Sequence, residues 1–410
     1  MIIVPYAHGA ASPHRIAGAA APFGGAVFVV DPAEPLPPTV LSLLGQLGPV
    51  VSGSQGDAAL LTELERYRPR GVVAFVDVLL PLASWIGAHF ELPCHTAATC
   101  AFLTSKAVQR RRLNEQGAGH VSTTSFSFEG ELPAHLAESV YPVVLKPDAG
   151  ASSRDTFYLE SFADLRAHTG DLVAGRRYVL EEAIVGAGRL PGSWLADYLS
   201  VEHALADGEA RCLGMTGRLP LAPPVRERGL VHPLTLDGDL GAEVRELALR
   251  AVRALGVTTG LTHTEIKVTP KGPQVIEVNG RLGGSLERLV PRAGVADVVS
   301  LAVEIAAGAK AARVAELIRP AEQVAMVRWV QPPMAATAVE GITGLADLRR
   351  MPGVFGAGRV LAPGSAVDWR RGSIGRVVDV WLEAADLDEL AHRSAAVERH
   401  IDRHITWRYA

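Results

Sequence analysis

Short apolar runs separated by stretches of helical periodicity fill the first quarter of the chain. "MIIVPY", "AVFVVD" and "GVVAFVD" each carry a β-rich hydrophobic run that ends in a polar or turn residue, with helical patterns between them. Such alternation predicts an open parallel sheet covered by helices, so residues 1–95 are expected to form a small α/β domain. The run "GVVAFVDVLLPLASWIGAHF" is long enough to span a membrane. Asp77 and Pro81 instead divide it into a strand and a helix beginning at the proline, and no membrane partner is expected. The Pro-rich "DPAEPLPP" reads as a surface loop.

Further along, "SKAVQRRRLNEQG" predicts a basic helix with Lys106 in its first turn and Gly117 as its stop. "YPVVLKPDAGASSRDTFYL" reads as strand, loop and strand, and "RYVLEEAIVG" as a strand running into a turn. "VEHALADGEARCLG" carries a hairpin signal at Asp207-Gly208. In "LGAEVRELALRAVRALG" the apolar Val244, Leu247, Ala248, Ala251 and Leu255 share one helical face, and Gly256 ends the helix. The last hundred residues mix short strands around "AMVRWVQ" and "GRVVDVWLEA" with a charged helix from Asp386.

Composition narrows the class. The 410 residues exceed one core, because cores stop growing beyond roughly 250 to 300 residues. A net charge of -4 gives no reason to expect nucleic acid as a partner. Cys94, Cys100 and Cys212 form no C-x-x-C pair, which argues against a disulfide framework or structural zinc and points to a reducing cytoplasm. "MIIVPYAHGAASPHR" lacks the pattern of a signal peptide, and its glycine does not make a dinucleotide fingerprint.

Candidate chemistry concentrates in "THTEIKVTPKGPQVIEVNGRLGG". Both arms alternate with the period of a strand, and centring the turn on Lys271 sets Glu265 directly opposite Glu277. Glu277, Asn279 and Arg281 then share one face, while Ile276 and Val278 point into the core. Opposed carboxylates repel, so a cation is expected between them. Two carboxylates and an amide oxygen suit Mg²⁺; the alternative is a solvated face paired with Lys267 or Arg281. "VVLKPDAGASSRDT" adds Lys146 at a strand end and a small-residue loop, Gly150 to Ser153, whose backbone N–H groups can approach phosphate.

The ordered set of Lys106, Lys146, the small loop, "LEEAI" and the acid hairpin resembles the ATP-grasp superfamily. Among its members the chain looks most like carboxylate-amine ligases such as the bacterial L-amino acid (dipeptide) ligases. The resemblance implies an ATP-grasp fold, α/β and α+β multidomain. It comprises an N-terminal open α/β domain over residues 1–95, a small lobe over 96–185, a large lobe with the metal site over 186–311, and a C-terminal α+β domain over 312–410. By the same resemblance, Lys106 and Lys146 would meet ATP phosphates and Gly150, Ser152 and Ser153 would close over them. Glu181, Glu182, Ala183 and Ile184 would contact adenine. Glu265, Glu277 and Asn279 would hold one or two Mg²⁺ ions, with Mn²⁺ as a substitute, and Arg281 would stabilise the reacting centre.

Two departures accompany the resemblance. Gly188 stands where related ligases place a ribose-binding acid, which makes Asp197 the candidate replacement. Arg218 stands where dipeptide ligases carry a lysine, keeping a cation but changing its geometry. Arg218, His232, His263, Gly283 and Gly284 are candidates for substrate contact. His400 and His404 read as a solvated helix face. The implied activity is ADP-forming ligation of a small-molecule carboxylate, an amino acid or related acid, to an amine. A homodimer is a further expectation, and the alternatives are a nucleotide binder without turnover or a biotin-carboxylase or purine-pathway relative.

Overall fold

Four strands near the N-terminus, β1 (Ile2–Pro5), β2 (Ala26–Val30), β3 (Val50–Ser52) and β4 (Gly71–Val72), pair in parallel in the order β3-β2-β1-β4. β1 and β2 are buried along their whole length, as expected of a parallel sheet covered on both faces. The strand expected over "GVVAFVD" is cut to two residues. Beyond it Val73 still donates to the Ile3 carbonyl before the chain leaves the sheet. Asp77 then opens a short turn into the helix Leu80–His89, with Pro81 in its first turn. This computed structural model describes residues 1–150, 153–190, 193–236 and 238–409.

A second, antiparallel sheet contains β5 (Thr123–Phe128), β6 (Val143–Pro147), β7 (Phe157–Leu159) and β8 (Arg176–Glu182) in the order β5-β8-β6-β7. It packs its own apolar core around Phe126, Leu136, Leu145, Phe157 and Tyr178. The remaining long strands are β9 (Tyr198–Ala206), β10 (Glu209–Arg218), β11 (Gly229–Leu234), β12 (Gly260–Thr269), β13 (Gly272–Asn279), β14 (Val324–Val330), β15 (Ala336–Ile342), β16 (Val354–Gly358), β17 (Val378–Ala384) and β18 (Ile405–Tyr409). Eight of them form one antiparallel sheet, β13-β12-β9-β10-β11-β14-β17-β16, and β15 pairs with β18. Of the strands after residue 311, β14, β17 and β16 therefore continue the central sheet through the β11–β14 pairing, while β15 and β18 pair with each other.

The helix Gly238–Ala254 lies against β12 and β13 and buries Val244, Leu247, Ala248 and Ala251 on one face, as its periodicity predicts. Strand β13 ends the sheet, and an exposed strand edge would leave backbone groups unpaired. The helix Lys106–Glu115 covers that edge with side chains. Gln109 donates to the Val278 carbonyl at 2.8 Å and accepts from the Val278 N–H at 2.8 Å. Arg110 donates to the Val275 and Ile276 carbonyls at 2.7 and 2.6 Å. No helix among the described residues is long and apolar enough to cross a membrane.

Candidate active site

The hairpin sets Glu265 opposite Glu277 and His263 opposite Asn279. Its turn is tighter than one centred on Lys271, because Thr269 pairs with Gly272 and leaves Pro270 and Lys271 as the loop. A bulge between Glu265 and Ile266 absorbs one residue of the facing strand and restores the opposition of the two acids. The expected inward position of Ile276 is thereby corrected. Val275 fills the core beside Val278, and Ile276, the extra residue, stays half-buried.

Each acid meets a cationic side chain. Lys106 Nζ donates to Glu277 Oε1 at 2.9 Å and to the Gly150 carbonyl at 2.8 Å, so it joins the hairpin to the small loop. Burial opposes its charge, yet Glu277 chiefly, with Asp77 and Glu181, raises the ammonium above its ordinary value. Ser105 caps the helix at its start, and Asp148 accepts from Ser105 Oγ and the Ala107 N–H. That fastens the loop's base to the helix carrying Lys106. Ser153 has a positive φ of 54°; Ser152 lies outside the described residues.

One turn along the same helix, Arg110 Nε donates to Glu181 Oε1 at 3.1 Å, and Lys146 Nζ lies 2.6 Å from Glu181 Oε2. Burial would raise the Glu181 carboxyl, but these two cations outweigh it and hold the group at about 2. Beyond it Glu182 is exposed, with Oε2 accepting from the Ser122 N–H, Ala183 is buried with its N–H on the Pro142 carbonyl, and Ile184 is half-buried.

Arg281 is oriented from the N-terminal domain, a contact the sequence reading missed. Its Nε and one terminal nitrogen donate to Asp77 Oδ2 at 3.0 and 2.7 Å, and that nitrogen also reaches Asn279 Oδ1 at 3.2 Å. Burial works against the guanidinium, and Asp77 raises it regardless. The signal was present in "GVVAFVD", because the carboxyl ends of strands in open α/β sheets are where ligands gather. A cavity of about 50 Å³ adjoins Arg281, walled by Val73, Phe75, Leu80, Ala83, Leu261 and Ile305 among others.

A buried polar network backs Glu265. His263 places Nε2 at 3.3 Å from Glu265 Oε1 and Nδ1 at 2.9 Å from Glu202 Oε2. Burial is overcome by Glu202, and the imidazole is raised to about 9; His263 and Arg218 in turn help hold Glu265 at about 2 against its own burial. Arg218, buried rather than open to substrate, donates to Glu227 at 2.9 Å and to the Thr216 carbonyl at 3.1 Å, and lies over the Tyr198 ring. His232 also departs from the expected pocket wall. It is fully buried beside Thr216, and burial lowers it to about 4.

Asp197 does not lie open for a ribose. It is buried, accepts from the Gly188 N–H at 2.6 Å, and pairs with Lys267 at 3.2 Å. A Cβ on Gly186 would stand 2.0 Å from the same carboxylate, which explains glycine there. Gly283 likewise approaches His263, since a Cβ would fall 2.5 Å from its Nδ1, whereas Gly284 faces open space. His400 and His404 stack together and contact Gly344 and Thr343, outside this site.

The donor set fits a hard divalent cation. No cluster of three His, Cys, Asp or Glu side chains that could hold a metal occurs among the described residues. Two opposed carboxylates with the Asn279 amide oxygen are nevertheless the oxygen-rich, partial ligand set that Mg²⁺ accepts when substrate phosphates complete it.

No family model matches the chain. The L-amino acid ligase from Bacillus licheniformis superposes with a TM-score of 0.77 at 19% identity, covering 100% of this chain and 98% of that one. The ADP complex of N5-carboxyaminoimidazole ribonucleotide synthetase gives 0.69 at 15% identity over 98% and 97% of the two chains. The chain has the ATP-grasp fold. Among curated relatives, the uncharacterized protein y4rH of Sinorhizobium fredii is 26% identical over 332 residues, 79% of this chain and 66% of that protein. The alanine–anticapsin ligase of Bacillus subtilis is 27% identical over 202 residues, 44% of this chain and 41% of that enzyme. The chain thus spans about two thirds or less of these curated relatives' length.

Proposed function

We propose that this chain is an ATP-dependent, ADP-forming ligase that joins a carboxylate, an amino acid or related acid, to an amine. The observation that carries the reading is the direct opposition of Glu265 and Glu277, with Lys106 on Glu277 and Arg281 on Asn279 of the same strand end. A mere nucleotide binder has little use for Arg281 at that place. Glu265, Glu277 and Asn279 would hold Mg²⁺, which when bound neutralises phosphate charge. Lys106 then exchanges Glu277 for a phosphate oxygen. In the first step a carboxylate oxygen bonds to the γ-phosphorus and the bond to ADP breaks, leaving an acyl phosphate. In the second the amine bonds to the acyl carbon, the carbon–oxygen bond to phosphate breaks, and the proton the nitrogen gives up leaves with the phosphate. Negative charge on the tetrahedral oxygen is met by Arg281, whose orientation Asp77 fixes in advance.

A second reading, ATP binding without turnover, draws on Gly188 and on an Asp197 already engaged by Lys267. A screen of acid and amine pairs, read by phosphate release and mass spectrometry, separates the two. Ligation predicts ADP, phosphate and a condensed amide in equal amounts. ATP binding with no product from any pair supports the second reading.

A further inference from the structure

Glu202 stands in the middle of the eight-stranded sheet, where an acid is costly unless fully partnered. It lies on β9 directly beside His263 of β12. Its Oε1 accepts from Ser200 Oγ at 2.6 Å and from Thr216 Oγ1 at 3.0 Å, and both carboxylate oxygens lie within 3.0 Å of His263 Nδ1. Three side chains from three strands therefore fix one carboxylate. The imidazole it orients brings Nε2 to 3.3 Å from Oε1 of Glu265, an ion-pair distance, with Arg218 Nη2 also 3.3 Å from that nitrogen. An acid needed only for packing would have no reason to aim an imidazole at the rim of the site.

We propose that Glu202 is a positioning residue for the divalent-cation site, acting through His263 to fix one oxygen of Glu265 and so orient the other toward the cation. This rests on the metal-dependent reading above. Partners behind a metal's direct ligands typically change metal affinity by about 10- to 100-fold when removed, because a free carboxylate must be ordered at the moment of binding. Glu202→Gln preserves size while removing the anion that holds the ring. Thr216→Val releases one of its supports and should act in the same direction by less.

The test uses the full chain with ADP and Mn²⁺ as the probe, read by electron paramagnetic resonance, beside metal-free ADP binding by calorimetry. Glu202→Gln is expected to weaken Mn²⁺ by about 10- to 100-fold while leaving metal-free ADP affinity unchanged. Parental Mn²⁺ affinity in a folded Glu202→Gln protein overturns the proposal and leaves the ligase reading standing. Should that variant not fold, His263→Gln, which cuts the same link farther along, must show the loss, and parental affinity there overturns it equally. A parent that binds no Mn²⁺ with ADP removes the metal reading itself.

Discussion

One helix sends two cations to two acids, and the two pairs are built differently. Arg110 reaches Glu181, whose other oxygen is taken by Lys146, and the three side chains are 2%, 6% and 10% exposed. Lys106, one turn earlier, reaches Glu277, and these side chains are 12% and 18% exposed. The first arrangement is closed: both carboxylate oxygens are saturated by buried cations, tying the helix to β8. The second is more open: a single cation takes one carboxylate oxygen of a more exposed glutamate, the arrangement the proposed exchange of partners requires. A basic helix therefore serves as strut at one turn and, in the proposed function, as the phosphate contact at the other. Lys146, expected on ATP phosphate, stands with the strut.

The strut should fail hardest. Glu181→Ala strands two buried cations, and breaking such an arrangement costs about 3–5 kcal/mol, measurable by urea denaturation. Next in size, Arg281→Ala should lose about 10²- to 10³-fold in kcat, roughly 2.7–4 kcal/mol, while Mg-ATP affinity stays near parental in a calorimetric titration. Arg281→Lys should recover part of that rate, since an ammonium cannot copy the two-pronged hold on Asp77. The strut should also show in acid. Because Glu181 falls from an ordinary 4.5 to about 2 on folding, its stabilisation is complete above about pH 4.5 and is lost as pH drops toward 2. Melting followed from about pH 6 to 4 samples only the start of this loss, and Glu181→Gln should flatten that slope. Smallest of all, Glu277→Gln should destabilise less than Glu181→Ala, because it frees one partly exposed cation rather than two buried ones. Its effect belongs to Mg-ATP affinity, and equal stability losses at Glu181 and Glu277 would erase the contrast.

Local periodicity made the acid hairpin legible and hid the strut. Alternation alone put Glu265 against Glu277, although the register rests on a tighter turn and a bulge at Ile276 that compensate one another. Helix signals found Lys106, Val244 and Leu247 because 3.6-residue periodicity is written into consecutive residues. Arg110 in "QRRRL" showed only as one charge among three; its meaning depends on the edge of β13, far away in sequence. Asp77, Glu202 and the joining of β14 to β11 are likewise long-range facts. Arg218 is placed near substrate by the resemblance and His232 as a pocket-lining loop residue, and neither reading carries the long-range packing that buries both on strands of the central sheet.

The account stands most directly on the fate of the carboxylate oxygen. With the donor acid labelled by oxygen-18 and turnover started with ATP, Mg²⁺ and an amine, attack on the γ-phosphorus moves one labelled oxygen into the released phosphate. The account predicts singly labelled orthophosphate in step with ADP and amide. Unlabelled orthophosphate accompanying amide, or label emerging in AMP with pyrophosphate, would contradict it.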